Sequence, residues 1–280
     1  MVEGSSQEEV AAIRLATFDQ YRGLLFSIAY RMLGSVADVE DILQEAFIRW
    51  QKSEEDDIRS ARAFLVTIVS RLCVNHLQSA RARREEYVGQ WLPEPLVADS
   101  SSDPLNLIKA DESISMAFLV LLERLTPLER AVFLLREVFE YEYAEIASVL
   151  QQSEANCRQS LHRARQHVSA VRPRFAASKS KQSALMQQFV QAVNSGNMDG
   201  LLGLLSEDVV LHSDGGGKGI AVPKPVYGRD KVARGILHSM EKFLPRGLVQ
   251  RVTLVNGQSG LVNYLDGNPH SVMTIDTDGE

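Results

Sequence analysis

The sequence predicts a multidomain chain in which two all-α domains precede an α+β domain. Three observations predict it. Apolar residues recur at helical spacing through most of the first 170 residues, and the pattern lapses once in a proline- and serine-rich stretch; beyond about residue 200, short apolar runs alternate with Asn-Gly and Asp-Gly turns. A length of 280 residues with 45% apolar and 24% charged residues accommodates two or three such domains. The expected boundaries are 1–85, a linker 86–110, then 111–174 and 175–280.

The first helix is read from Phe18, Tyr21, Leu24, Leu25, Ile28 and Met32, which fall on one face. Gly34-Ser35 breaks it, and Ser35 with Asp38 forms the S-x-x-D start of a second helix whose apolar face is Val36, Val39, Ile42, Leu43, Ala46, Phe47 and Trp50. A third helix, about Ala61 to Ala80, carries Phe64, Leu65, Ile68 and Leu72 on its apolar side and Arg71, Asn75 and Gln78 among its polar residues. Periodicity then vanishes through Trp91-Leu92-Pro93-Glu94-Pro95-Leu96 and Ser100 to Pro104, which reads as a linker. It resumes at Ile114, Phe118, Leu121 and Leu125. Thr126-Pro127-Leu128-Glu129 marks a new helix start, with a Thr cap, Pro at the first helical position and Glu three residues on. A helix from Tyr143 to Leu150, with Ile146 and Ala147 on its apolar side, leads through Gln151-Gln152 to Ser153, the cap of a basic helix with Leu161, Ala164 and Val168 inside. After Ser178-Lys181, one amphipathic helix passes through Phe189, Val190 and Val193. Strands are expected at Val209–His212, Gly247–Asn256, Gly260–Leu265 and Ser271–Asp276, with turns at Asn256-Gly257 and Asp266-Gly267 and a helix from Arg229 to Phe243.

Composition narrows the function classes. No run approaches the roughly 20 apolar residues of a membrane span, and Met1 to Gln7 lacks the layout of a secretory signal, so a cytoplasmic chain without membrane contact is expected. Cys73 and Cys157 lie far apart, each in an apolar-periodic segment, which offers neither a disulfide framework nor a paired-ligand metal site. They read as packing residues. The net charge of −6 hides a partition: Met1 to Asp57 holds twelve acids and five bases, whereas Ile58 to Arg84 holds Arg59, Arg62, Arg71, Arg81, Arg83 and Arg84 with no acid. From Glu154 to Arg174, Arg158, Arg163, Arg165, Arg172 and Arg174 face only Glu154. Two basic stretches in an acidic chain suggest two contacts with a polyanion.

Helix, tight turn and capped basic helix from Tyr143 to His167 is the layout of a helix-turn-helix, whose second helix presents its N-terminal side chains to base edges. Glu154, Asn156, Arg158 and Gln159 would read bases, with His162, Arg163 and Arg165 nearer phosphates. A helical hairpin with a solvated basic face would show the same pattern.

Longer segments add to this. Asp38 to Trp50, Ala61 to Leu65 and Arg71 to Leu77 together resemble region two of bacterial extracytoplasmic-function (ECF) sigma factors. Leu125 to Glu137, Tyr143 to Ala147 and Arg158 to Arg165 resemble region four, in the family's order and over about residues 15 to 172. The resemblance implies that Asp38, Asp41, Gln44, Glu45 and Trp50 dock on core RNA polymerase. It implies further that Arg62, Arg71, Asn75, Gln78 and Arg81 bind a melted minus-10 element of promoter DNA, and that the helix-turn-helix reads minus-35. The acidic loop Ser53 to Asp57 falls where the family places its base-selecting loop. Gln151-Gln152 replaces the family's usual Gly-containing turn.

Trp91-Leu92-Pro93-Glu94-Pro95-Leu96 and Asp214-Gly215-Gly216-Gly217-Lys218 resemble the subgroup in which a SnoaL-like α+β cone follows region four. That resemblance implies a regulatory set of Trp91, Pro93, Glu94, Pro95, Asp214, Gly215, Gly216, Gly217 and Lys218, through which the C-terminal domain contacts the sigma domains. It also places a further strand beyond Asp278-Gly279-Glu280. The expected activity is promoter recognition without covalent chemistry, cofactor or metal. The alternative is a C-terminal ligand sensor or cyclase-like enzyme using His212, Asp214 or His238 as acid-base groups.

Overall fold

The computed structural model describes residues 2–53, 58, 60–84, 90–98, 114–169, 179–216, 221–243 and 245–277; for 2–7, 80–84, 169, 179 and 243 it describes the backbone alone. The described residues divide into two compact units. One is formed from Met1–Ala82 and Leu119–Arg172, the other from Arg83–Asp103, Ser113–Phe118 and Pro173–Glu280.

The helical unit begins with α1 (Val2–Leu33), which ends where Gly34 takes a positive φ of 70° that other residues adopt only with strain. Ser35 then caps α2 (Val36–Lys52), its hydroxyl accepting the Asp38 N–H at 3.3 Å, as the S-x-x-D pattern predicts. Leu25, Phe26, Ala29 and Leu33 of α1 and Val39, Leu43, Ala46 and Trp50 of α2 are buried, and α3 (Ala61–Arg84) adds Leu65, Val66, Val69, Leu72 and Cys73. The two cysteines are free and buried, and burial pushes both thiols up and keeps them protonated.

Next come α4 (Met116–Leu122), whose first residues Met116–Phe118 lie in the other unit, and α5 (Pro127–Phe133). Thr126 and Glu129 close a capping box around the start of α5, with Oγ1 accepting the Glu129 N–H at 3.3 Å and the Glu129 carboxylate accepting the Thr126 N–H at 3.1 Å. A π-helical turn, Leu134–Val138, follows, then α6 (Tyr143–Leu150) and α7 (Glu154–Ser169). Cys157, Leu161 and Ala164 of α7 pack inward at helical spacing, together with Ile146, Val149 and Leu150 of α6.

The second unit has α8 (Lys179–Asn194), α9 (Met198–Leu204), a two-stranded pair β1 (Val210–Leu211) and β2 (Val226–Tyr227), and α10 (Arg229–Phe243). These precede an antiparallel sheet of β3 (Val249–Val255), β4 (Gln258–Leu265) and β5 (Asn268–Thr274), in that order. Asn256-Gly257 and Asp266-Gly267 form the two hairpin turns, with φ of 52° and 78° in the first and 52° and 80° in the second. Such paired positive values match the twist of the flanking strands. Leu261 joins Met186, Phe189, Val193, Leu201, Val232 and Ile236 in a core between sheet and helices, while Val255, Val262 and Tyr264 form a second cluster that Val97 covers. β2 and α9 are elements that the sequence pattern did not predict: one is two residues long, and the other carries Gly200 and Gly203 within seven. Among the described residues, no helix is long and apolar enough to cross a membrane.

Candidate nucleic-acid interface

The turn between α6 and α7 contains no glycine, yet Gln151 sits in the left-handed region at φ 52° and ψ 47° and donates its N–H to the Ala147 carbonyl. Ser153 caps α7 by accepting the Asn156 N–H at 3.1 Å. With Cys157, Ser160, Leu161 and Ala164 buried, the opposite face of α7 exposes Glu154, Arg158, Gln159, His162, Arg163 and Arg165. Asn156 is half-buried and donates to the Gln152 side chain at 2.6 Å. Arg158 is held by Glu154 at 2.6 Å and lies over the Tyr143 ring at 4.9 Å, so its guanidinium is already aimed along the start of the helix. Arg165 pairs with Glu137 at 2.7 Å. All seven predicted residues thus belong to one helix end and its outward face.

On α2, Asp41 and Gln44 are exposed, Glu45 is half-buried and paired with Arg49 at 2.8 Å, and Asp38 lies 3.5 Å from His76 of α3. Ile48 extends this outward stripe with 37% exposure. Trp50 does not belong to it, which corrects the expectation drawn from the docking ridge. Only 5% of it is exposed, its indole N–H donates to the Arg14 carbonyl at 2.9 Å, and the Arg14 guanidinium lies over the ring at 5.6 Å. Arg14 also donates to the carbonyls of Trp50 at 2.6 Å, Gln51 at 2.7 Å and Ser53 at 2.6 Å, satisfying the unpaired end of α2. The spacing Val39, Leu43, Ala46, Trp50 already places the indole on the inward face; Arg14 carries no comparable signal.

Along α3, Asn75 and Gln78 are exposed on one face at spacings of four and seven from Arg71. Arg71 itself is engaged within the protein, contrary to its expected availability. Its Nε donates to the Val149 carbonyl at 2.6 Å and its Nη2 to the Ser148 carbonyl at 2.9 Å, both at the C-terminal end of α6. Arg62 lies over Tyr141 at 5.6 Å. The Arg81 side chain, residues Glu54–Asp57 of the acidic loop, Gly217, Lys218 and Asp278–Glu280 lie outside the described residues.

Within the second unit, the Trp91–Leu96 segment packs on the C-terminal elements. The Leu92 N–H donates to Oδ2 of Asp214 at 2.8 Å, while Oδ1 of Asp214 accepts the Gly216 N–H at 2.8 Å. Pro93 is buried, Trp91 and Pro95 are half-buried, Glu94 is exposed and Gly215 is half-buried. Leu96 exchanges hydrogen bonds with Asn256, its N–H reaching Oδ1 at 2.8 Å and its carbonyl accepting the Asn256 N–H at 2.8 Å. Val97 forms an antiparallel bridge with Val255. His212 shares a 2.9 Å hydrogen bond with the Gln90 side chain. His212 and Asp214 therefore bind the linker, and Asp214 points its two oxygens at backbone N–H groups.

Sequence comparisons match the family Sigma-70 region 2 to residues 17–83 and Sigma-70, region 4 to residues 115–168. The ECF RNA polymerase sigma factor SigJ of Mycobacterium tuberculosis is 40% identical over 261 residues, covering 92% of this chain and 82% of that protein. The chain belongs to the ECF sigma factors. The probable ECF RNA polymerase sigma factor SigI of the same species is 34% identical over 224 residues, covering 79% of this chain and 75% of SigI. The crystal structure of M. tuberculosis SigJ superposes with a TM-score of 0.73 at 34% identity, covering 94% of this chain and 96% of that one. In this ECF sigma factor, region two corresponds to α1–α3 and region four to α4–α7, followed by a C-terminal region that contains β-sheets.

Proposed function

We propose that this ECF sigma factor recruits core RNA polymerase to specific promoters, reads the minus-35 element with α7 and engages the melted minus-10 element with α3. The outward face of α7 supports this reading most directly. Arg158, Gln159, His162 and Arg163 are exposed around a capped N-terminus, the end of a recognition helix that approaches base edges. Exposed Asp41 and Gln44, with half-buried Glu45 and Asp38 at their edge, suit a polymerase surface of opposite charge, and Asn75 with Gln78 suits unpaired bases. The C-terminal region is read as a SnoaL-like cone that regulates the sigma regions through the segment it holds, residues 90–98. The domain division 1–85, 86–110, 111–174 and 175–280 belongs to the same proposal.

Run-off transcription with core polymerase on a cognate promoter tests it. Gln159→Ala should relax minus-35 preference by about 1–3 kcal/mol per lost base contact, and Asn75→Ala should impair opening, read by permanganate footprinting, more than recruitment. Normal opening with Asn75→Ala would remove α3 from the minus-10 role.

A further inference from the structure

The π-helical turn Leu134–Val138, α6 and α7 meet around one aromatic ring, that of Tyr143 at the first position of α6. The ring is half-buried, and two guanidiniums lie over it: Arg158 of α7 at 4.9 Å and Arg136 of the π-helical turn at 5.0 Å. Two cations drawn to one ring repel each other unless each is neutralised, and each has a carboxylate of its own. Glu154 meets Arg158 at 2.6 Å, and Glu142 meets Arg136 at 3.0 Å. Arg136 also donates to the Tyr141 carbonyl at 2.8 Å, and the Glu142 N–H donates to the Glu145 carboxylate at 2.8 Å, which anchors the backbone from which Tyr143 projects. The ring thus has a fixed root, a fixed neighbour in Arg136 and an exposed partner in Arg158. The Glu154 pair alone does not aim that partner. An exposed pair four residues apart on one helix is weak and screened by salt, whereas the Tyr143 ring stands on a second helix and confines the guanidinium against its face.

We propose that Tyr143 is a positioning residue for minus-35 recognition: its ring holds the Arg158 guanidinium in the orientation that reads a guanine edge, and it touches no base itself. The proposal rests on the reading of α7 as the minus-35 helix. Reading guanine requires the guanidinium to donate to O6 and N7 together, in the plane of the base. An arginine free to swing reaches phosphates instead, and these bind it equally at every sequence. Ordering a rotamer-rich side chain beforehand lowers the entropy lost on binding, so the ring acts on base discrimination through Arg158. The π-face does this, and phenylalanine has the same face; the Tyr143 hydroxyl takes no part.

The test uses holoenzyme assembled from the full chain and core RNA polymerase, with a library of promoter duplexes randomised across the minus-35 element. Sequencing the bound fraction gives the base preference at each position. Arg158→Ala should lower the preference for guanine at one position. Tyr143→Leu should lower it at that same position by about two- to fivefold, the scale of one exposed cation–π contact, while Tyr143→Phe keeps the wild-type ratio. Adding Tyr143→Leu to Arg158→Ala should lower it no further, because the ring acts only through the arginine. A wild-type ratio in Tyr143→Leu with unchanged helical circular dichroism would overturn the proposal. So would a loss in Tyr143→Phe, or a Tyr143→Leu effect that persists without Arg158. If Tyr143→Leu loses helical signal, Tyr143→Gln takes its place with the same expectations. Failure of the underlying reading looks different: Arg158→Ala would itself leave the preference unchanged at every position, and the proposal would fall with it.

Discussion

Replacing Asn256 with glycine should release residues 90–98 from the sheet and leave the β3–β4 hairpin intact, whereas alanine should damage both. Asn256 has two separable roles. Its backbone holds φ 52° in the hairpin turn, and its side chain supplies the acceptor for the Leu96 N–H at 2.8 Å in a site where Asn256 is 2% exposed. Glycine keeps the turn and deletes the acceptor. A buried N–H left without a partner costs about 1–3 kcal/mol, which at 1.4 kcal/mol per tenfold corresponds to roughly 5- to 150-fold faster opening of the linker. Alanine adds about 1–2 kcal/mol for an L side chain forced into the left-handed region. The assay is site-resolved amide hydrogen exchange, because it reads local opening in a chain with two units where a single melting curve does not. In the glycine variant the Leu96 amide should exchange faster by that factor, while the cross-strand amides of Arg251 and Val262 stay protected. A Leu96 amide as slow as in the wild type would show that residues 90–98 are held by side-chain packing alone and refute the reasoning.

Asp214→Ala removes the acceptor of the Leu92 N–H, so the Leu92 amide should exchange faster and the emission of half-buried Trp91 should shift to the red. Run-off transcription by this variant should change in yield and not in promoter choice; an unaltered Leu92 amide would show that Asp214 does not hold the segment. Gln151→Gly replaces a side chain held at φ 52° and should stabilise the α6–α7 pair by about 0.5–1 kcal/mol, seen as a higher midpoint of helical unfolding. A lowered midpoint would mean that the Gln151 side chain contributes more than its backbone strain costs. Gly260→Ala should destabilise the sheet by about 1–3 kcal/mol, since a Cβ there would lie 2.6 Å from Cγ2 of buried Val255. A C-terminal unit that melts at the wild-type temperature would contradict it.

The packing of linker and sheet also bears on regulation. Proline, with no N–H of its own, leaves few backbone donors in Trp91–Leu96, and among them the Leu92 N–H is engaged by a carboxylate and the Leu96 N–H by an amide. A tethered segment held by several such bonds and a bridge at Val97 experiences a high effective concentration while each bond remains individually weak. Under the regulation proposed above, that combination suits a contact that yields when polymerase binds.

Much of the architecture was legible without tertiary information because it rests on local chemistry. The caps at Ser35, Thr126 and Ser153 depend on side chains three residues from the N–H groups they accept, and the hairpin turns at Asn256-Gly257 and Asp266-Gly267 depend on residues that tolerate positive φ. Helical spacing placed Leu43, Ala46, Leu65 and Leu161 in the core, and it also placed Trp50 there, against its assignment to the docking ridge. The order of motifs sufficed to suggest the family. What the sequence left open is which partner each polar group meets. Arg71 reads as a DNA-facing arginine until α6, 78 residues away, presents its unpaired carbonyls, and Arg14 has no visible role until α2 ends beside it. Residues 90–98 read as a loop because their attachment runs through backbone groups, at Leu96 with Asn256 and Ala98 with Leu254, which leave no periodicity in the side chains. A backbone carbonyl is the same at every position of the chain; only the fold decides which ones lack a partner and which arginine is near enough to supply it.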